Sequence, residues 1–133
     1  MKTTPKTGSD INVAAYMKGM KNMILRNVKE ILEATVLIGE ENLDTEVLSA
    51  CGCDLMSDVL AFVKDQGMLL TGLVNPQVVR TAEMMDMKAI VFVRGKDPGE
   101  DILELAKEAG MVVLSTEFPL YVACGKLYSS GLN

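Results

Sequence analysis

The second half of the chain repeats one pattern three times, and that repetition leaves few folds open. A short apolar run begins at Met68, again at Ala89 and again at Met111. Each run is followed by a helix-opening signal: Asn75-Pro76, Asp97-Pro98 and Ser115-Thr116. All three signals offer a side-chain acceptor for the free N–H groups of a first helical turn. Two of them put proline where its missing N–H is of no consequence. Apolar residues then recur at helical spacing: Val78, Val79, Ala82 and Met85; Ile102, Leu105, Ala106 and Ala109; Val122, Ala123 and Leu127. Gly110 and Gly131 stand where helices end in a left-handed residue. Strands alternating with helices in units this short imply parallel strands joined by right-handed crossovers. The runs at 89–93 and 111–114 are apolar throughout, as in strands covered on both faces.

The first half is less regular. Asn27 is placed to cap a helix with Val28, Ile31 and Leu32 on one face. Residues 36–38 read as a strand ended by Gly39, and 40–44 as an acidic turn. Residues 46–53 read as a β stretch. Asp54 is placed to cap a helix striped by Leu55, Val59, Leu60 and Val63, which Gly67 would close. These segments add one or two strands, with room for an antiparallel member. Residues 1–10 form a polar tail, and 11–25 carry a partly helical apolar pattern. The expected architecture is α/β, a mostly parallel sheet of 4–5 strands with flanking helices. It divides into an extension over 1–26 and a domain over 27–133.

Composition narrows the chemistry. The 133 residues include no histidine and have a formal net charge of -5. Ser-His and Cys-His nucleophile pairs are therefore excluded, as are imidazole metal ligands. The acidic balance, with no tryptophan, argues against nucleic-acid binding. No apolar run approaches the ~20 residues a membrane helix needs. The polar start lacks the apolar stretch of a signal peptide. Three cysteines make a poor disulfide framework, and ten methionines suit a reducing compartment. The expected setting is the cytoplasm, with no membrane partner.

Parallel sheets bind ligands beyond the carboxyl ends of their strands. The residues expected there are Thr71, Gly72, Arg94, Gly95, Lys96, Ser115 and Thr116. Helix N-termini, two cationic side chains and two glycines at that edge suit a small anionic ligand. The competing account is that these residues are the caps and tight turns any βα protein needs. No GxxxxGK[ST] or GxGxxG pattern occurs, and no cofactor is implied. Cys51-Gly52-Cys53 could in principle share a soft metal or form a redox pair. Without histidine, and with Cys124 the sole further thiol, burial as small apolar residues is the better account, and no metal site is expected. The acidic residues Glu40, Glu41, Asp44 and Glu46 lack an EF-hand spacing and read as a solvated turn.

Residues 27–132 resemble the DRTGG domain family, which is similar to the N-terminal domain of HPr kinase/phosphorylase. The resemblance rests on the opening helix and strand over 28–39 and on Asn42-Leu43-Asp44-Thr45-Glu46-Val47. It continues through Cys53-Asp54-Leu55-Met56-Ser57-Asp58-Val59-Leu60, the strand at 89–93 with Asp97-Pro98, and Val113-Leu114-Ser115-Thr116. The naming motif is reduced here to Asp44, with Thr45 in the arginine position and Ser49-Ala50 near the glycines. The resemblance implies a non-catalytic regulatory module, like those in phosphotransacetylases and CBS-containing pyrophosphatases. It implies a homodimer, a link to adenine nucleotides and, in some settings, a partner enzyme. Two alternatives remain from the residues: a protein–protein adaptor without a small ligand, and a thiol redox or metal protein using Cys51 and Cys53.

Overall fold

The computed structural model describes residues 23–62 and 67–133. In chain order the elements are β1 (Met23–Ile24), α1 (Leu25–Ile31), β2 (Thr35–Ile38), β3 (Glu46–Val47), β4 (Ser49–Gly52) and α2 (Met56–Val59). They continue with β5 (Gly67–Thr71), α3 (Pro76–Met84), β6 (Ala89–Phe92), α4 (Glu100–Glu108), β7 (Val112–Ser115) and α5 (Leu120–Ser129). Five strands form one sheet in the order β2-β7-β6-β5-β4. Strands β4, β5, β6 and β7 are parallel, and β2 joins β7 antiparallel. A separate antiparallel pair joins β1 to β3, with Met23 opposite Val47.

The two faces of the sheet follow from the period-2 alternation of its strands. Met68, Leu70, Val91, Val112 and Leu114 pack with Val28, Leu32, Ala123 and Leu127 of the α1 and α5 side. Leu69, Ile90, Phe92 and Val113 face the other way, onto Val78, Ala82, Ile102 and Ala106 of α3 and α4. All four residues of β6 are buried, which is why that segment shows no polar alternation. Each large side chain removed from water there contributes about 1.5–3 kcal/mol. Layering the helices on both faces exposes the carboxyl ends of β4 to β7 along one edge.

The α/β, mostly parallel architecture is as expected, and several local boundaries differ. Helix α1 begins at Leu25, not after Asn27, and Asn27 caps it from inside by accepting the Ile24 N–H at 3.2 Å. Asp54 caps no helix; α2 is one turn long and leaves Leu55 and Leu60 exposed. Gly67 starts β5, paired with Ser49, instead of closing a helix. Helix α4 opens at Glu100, because Asp97 uses its carboxylate to accept the Gly99 N–H at 3.0 Å in a local turn. Helix α5 opens at Leu120, because the Thr116 hydroxyl is turned into the core. The polar tail at 1–10 and the pattern over 11–22 lie outside the described residues, as does Val63.

Candidate ligand-binding edge

The edge is assembled by register. Gly52 pairs with Leu70, Thr71 with Phe92, and Phe92 with Ser115, so the residues just past each strand lie side by side. Backbone bonds extend the ladder one step: Cys53 N–H to Leu70 C=O, Val93 N–H to Thr71 C=O, and Thr116 N–H to Phe92 C=O. Asp54, Gly72, Arg94 and Glu117 follow directly.

Asp54 organises the β5 end. Its Oδ1 accepts the Thr71 hydroxyl and the Gly72 N–H, each at 2.8 Å. The buried Thr71 hydroxyl in turn accepts the Leu73 N–H at 3.1 Å. The Gly72 N–H bond, the Thr71 hydroxyl and then the charges of Arg94 and Lys96 hold the Asp54 carboxyl below its ordinary range, against a smaller opposing effect of burial. A side-chain carbon at Gly72 would lie 3.5 Å from Arg94 Nη2 and 3.7 Å from Asp54 Oδ2, so the two charged heads arch over this glycine.

The β6 end is held differently. Arg94 is in the left-handed region at φ 60°, where a residue with a side chain carries a strain of about 1–2 kcal/mol. Backbone bonds fix it there: the Arg94 N–H to Phe118 C=O at 2.9 Å and the Gly95 N–H to Thr116 C=O at 2.8 Å. Strained non-glycine residues concentrate at ligand sites. The exposed Arg94 and half-buried Lys96 make no ion pair among the described residues, where Arg26 with Asp44 forms one at 3.0 Å. Glu117 lays its carboxylate over Gly95, with Oε1 at 2.7 Å from where a side-chain carbon would sit.

The structure thus brings Thr71, Gly72, Arg94, Gly95 and Lys96 together. Ser115 is beside them, its hydroxyl donating to the Lys96 carbonyl at 3.4 Å. Thr116 is buried, and its hydroxyl donates to Leu32 C=O at 2.7 Å and accepts the Phe118 N–H. That hydroxyl is spent on the fold. Sequence reasoning missed Asp54 as the organiser, taking it for a helix cap. A lone acid immediately after an apolar strand was the available signal. Asn75 also departs from expectation: it precedes α3 but makes no cap bond, and its Oδ1 is buried without a partner. It borders a cleft of about 360 Å³ between the starts of α3 and α4, whose other wall includes Glu100 and Asp101. A larger groove of about 660 Å³ lies along α5 beside Tyr121 and Val122, with Lys126 its one charged residue.

The cysteines offer little chemistry. All three are free. Burial first, then the neighbouring Cys53, Cys124 and Asp58, pushes the Cys51 thiol up; burial alone does so for Cys124, which rests on Gly52. A thiol held protonated is a poor nucleophile or metal ligand. Among the described residues, no group of three acidic or cysteine side chains is placed to hold a metal ion. No helix among them is long and apolar enough to cross a membrane.

An α/β sheet with a polar, partly strained carboxyl edge is the class these observations define. The DRTGG domain model matches residues 27–127, and the chain belongs to that family. No curated protein matches it. Among solved structures it is similar to the CBS and DRTGG domains of the regulatory region of Clostridium perfringens pyrophosphatase, complexed with the activator diadenosine tetraphosphate. The TM-score is 0.65 at 17% identity, covering 92% of this chain and 52% of that one. The likeness is one of fold, and the chain spans about half the length of that structure.

Proposed function

We propose that this chain is a non-catalytic regulatory domain that senses a small anionic metabolite, an adenine nucleotide above all, at the carboxyl edge of its sheet. One observation carries the reading. Arg94 and Lys96 stand at the ends of parallel strands with no ion pair among the described residues, Arg94 in a strained backbone conformation. Two cations in that position suit phosphate oxygens. The family match and the nucleotide-bound regulatory region of similar fold support it. The one hydroxyl–carboxylate pair described at the edge, Thr71 with Asp54, is tied into the turn through the Gly72 and Leu73 N–H groups, which favours sensing over catalysis.

The same reading takes 1–26 as an extension and 27–133 as the domain, supported by a family match over 27–127. It includes a cytoplasmic setting, where the free thiols stay reduced. It also includes a homodimer, in which a partner enzyme would read the ligand-bound state. Among the described residues strand β4 has no outer neighbour in the sheet, and Leu48, Leu55 and Leu60 are exposed just before and after it. An open strand edge with apolar flanks is a surface a second copy can cover.

Thermal-shift measurements with AMP, ADP and ATP test the ligand. Saturation a hundredfold above the dissociation constant should add about 2.7 kcal/mol of stability. Arg94→Ala and Lys96→Ala should each remove that gain. Retention of the full shift in both variants would move the site elsewhere. Sedimentation at micromolar concentration should give a dimer, and a monomer would remove that part of the reading.

A further inference from the structure

Asp54 is only half used by the fold. Both bonds from Thr71 and Gly72 go to Oδ1, and Oδ2 accepts nothing among the described residues. Oδ2 and Arg94 Nη2 each lie within 4 Å of where a Gly72 side-chain carbon would sit, yet they form no ion pair with one another. An exposed carboxylate and a guanidinium that flank one glycine, each short of partners among the described residues, suit one kind of ligand. It must present an anionic group to Arg94 and a hydrogen-bond donor to Asp54 a few ångströms away.

Lys96 adds a second cation at the β6 end, where the Glu117 carboxylate also lies over Gly95, and no cation stands on the Asp54 side among the described residues. A bare phosphate gains nothing from Asp54 and is repelled by it. A phosphorylated ribose gains on both sides, since its hydroxyls can donate to a carboxylate. An acid beyond the end of a strand neighbouring the phosphate-binding one performs this service in dinucleotide-binding sheets. Gly72 strengthens the case. Its φ lies outside the left-handed region, and a side-chain carbon there would make only ordinary contacts, so neither backbone nor packing demands glycine.

We infer that Asp54 is the specificity-determining residue of the edge, selecting ribonucleotides over bare phosphates by accepting ribose hydroxyls on Oδ2 while Arg94 and Lys96 hold the phosphate. The inference rests on the anion-sensing reading above and deepens it. Its test compares ADP, 2′,3′-dideoxy-ADP and pyrophosphate on the full chain by calorimetric titration, in wild type, Asp54→Asn and Arg94→Ala.

Asn keeps an acceptor for Thr71 and Gly72 and replaces Oδ2 with a donor, so the turn should survive; a cooperative melt only slightly below that of wild type verifies this. ADP should bind wild type ten- to a hundredfold more tightly than the dideoxy analogue, the worth of a hydrogen bond to a charged group. Asp54→Asn should erase that difference, weakening ADP while leaving pyrophosphate equal or tighter. A purely structural role for Asp54 would weaken all three alike. Equal binding of ADP and its dideoxy analogue to wild type, with Arg94→Ala still weakening both, would overturn the inference and leave the anion site standing. Absence of binding by all three to wild type would overturn both.

Discussion

The turns that follow β5 and β6 are neighbours on one edge, and they are built by opposite means. The first is tied by side chains: one Asp54 oxygen gathers the Thr71 hydroxyl and the Gly72 N–H. The second is tied by backbone: Arg94 and Gly95 both have positive φ, and their N–H groups reach Phe118 and Thr116 carbonyls. A turn held by side chains leaves its backbone ordinary and its glycine optional. A turn held by backbone conformation makes its glycine obligatory and leaves its side chains free. That is why the cations of the edge come from the second turn and its acceptor from the first.

Both turns hang from the same pair of strands, so the largest effect should come from the support they share. Phe92 is fully buried and sits opposite Thr71 in the register. Phe92→Ala should cost about 3–5 kcal/mol in denaturant unfolding, the range for emptying a large core site. A loss under about 1 kcal/mol would mean the two turns do not depend on a common core.

The next substitutions separate the turns. Thr71→Val removes the donor to Asp54 and the acceptor for Leu73 from a buried position. It should cost about 1–3 kcal/mol, because the Leu73 N–H is left without its partner. Gly95→Ala should cost about 1–2 kcal/mol by forcing a side chain into the left-handed region. Glu117 must also move, since its carboxylate occupies the space the new carbon needs. If Thr71→Val is neutral while Gly95→Ala is not, the first turn is not held by its side chains. Chemical denaturation read against wild type decides both.

The Asp54 carboxyl gives the comparison a pH dependence. Its pKa is lowered in the folded state, chiefly by the Gly72 N–H and the Thr71 hydroxyl. Its contribution is therefore present above the unfolded-state value and is lost as pH falls through the folded one. Asp54→Asn should flatten the acid limb of a stability–pH curve as pH falls below ~4, the range in which an ordinary Asp titrates and below which the folded carboxyl gains its proton. Gly95→Ala should shift that curve down without changing its shape. An unaltered acid limb in Asp54→Asn would mean the carboxylate contributes nothing to folding.

The sheet was far more legible in the sequence than the edge. The residues of β6 and Val112 to Leu114 of β7 must be apolar on both sides because helices cover both faces, and that requirement is visible one residue at a time. The edge residues answer to partners distant in sequence. Asp54 looks like a helix cap until β4 and β5 pair and bring Thr71 against it. Thr116 looks like another until α1 puts the Leu32 carbonyl beneath its hydroxyl. Arg94 and Lys96 were readable as cations at the edge, because nothing in a βα turn requires them. The strain at Arg94 was not, since left-handed backbone is a property of the Phe118 and Thr116 carbonyls that hold it.

The smallest expected effect tests the contrast most directly. Gly72 has no positive φ, and the three atoms nearest an added carbon are Arg94 Nη2 at 3.5 Å, Asp54 Oδ2 at 3.7 Å and Val93 Cγ2 at 3.7 Å. None is a collision. Gly72→Ala should therefore be neutral or stabilising by up to about 1 kcal/mol, because alanine restricts the unfolded chain more than glycine does. A loss of more than about 1 kcal/mol in the same unfolding measurement would show that this turn, like its neighbour, depends on glycine's backbone freedom. With the expected result, the absence of a side chain at this position has no structural explanation. What it preserves is room beside a carboxylate oxygen and a guanidinium that have no partner among the described residues, which is the room a ligand at this edge would need.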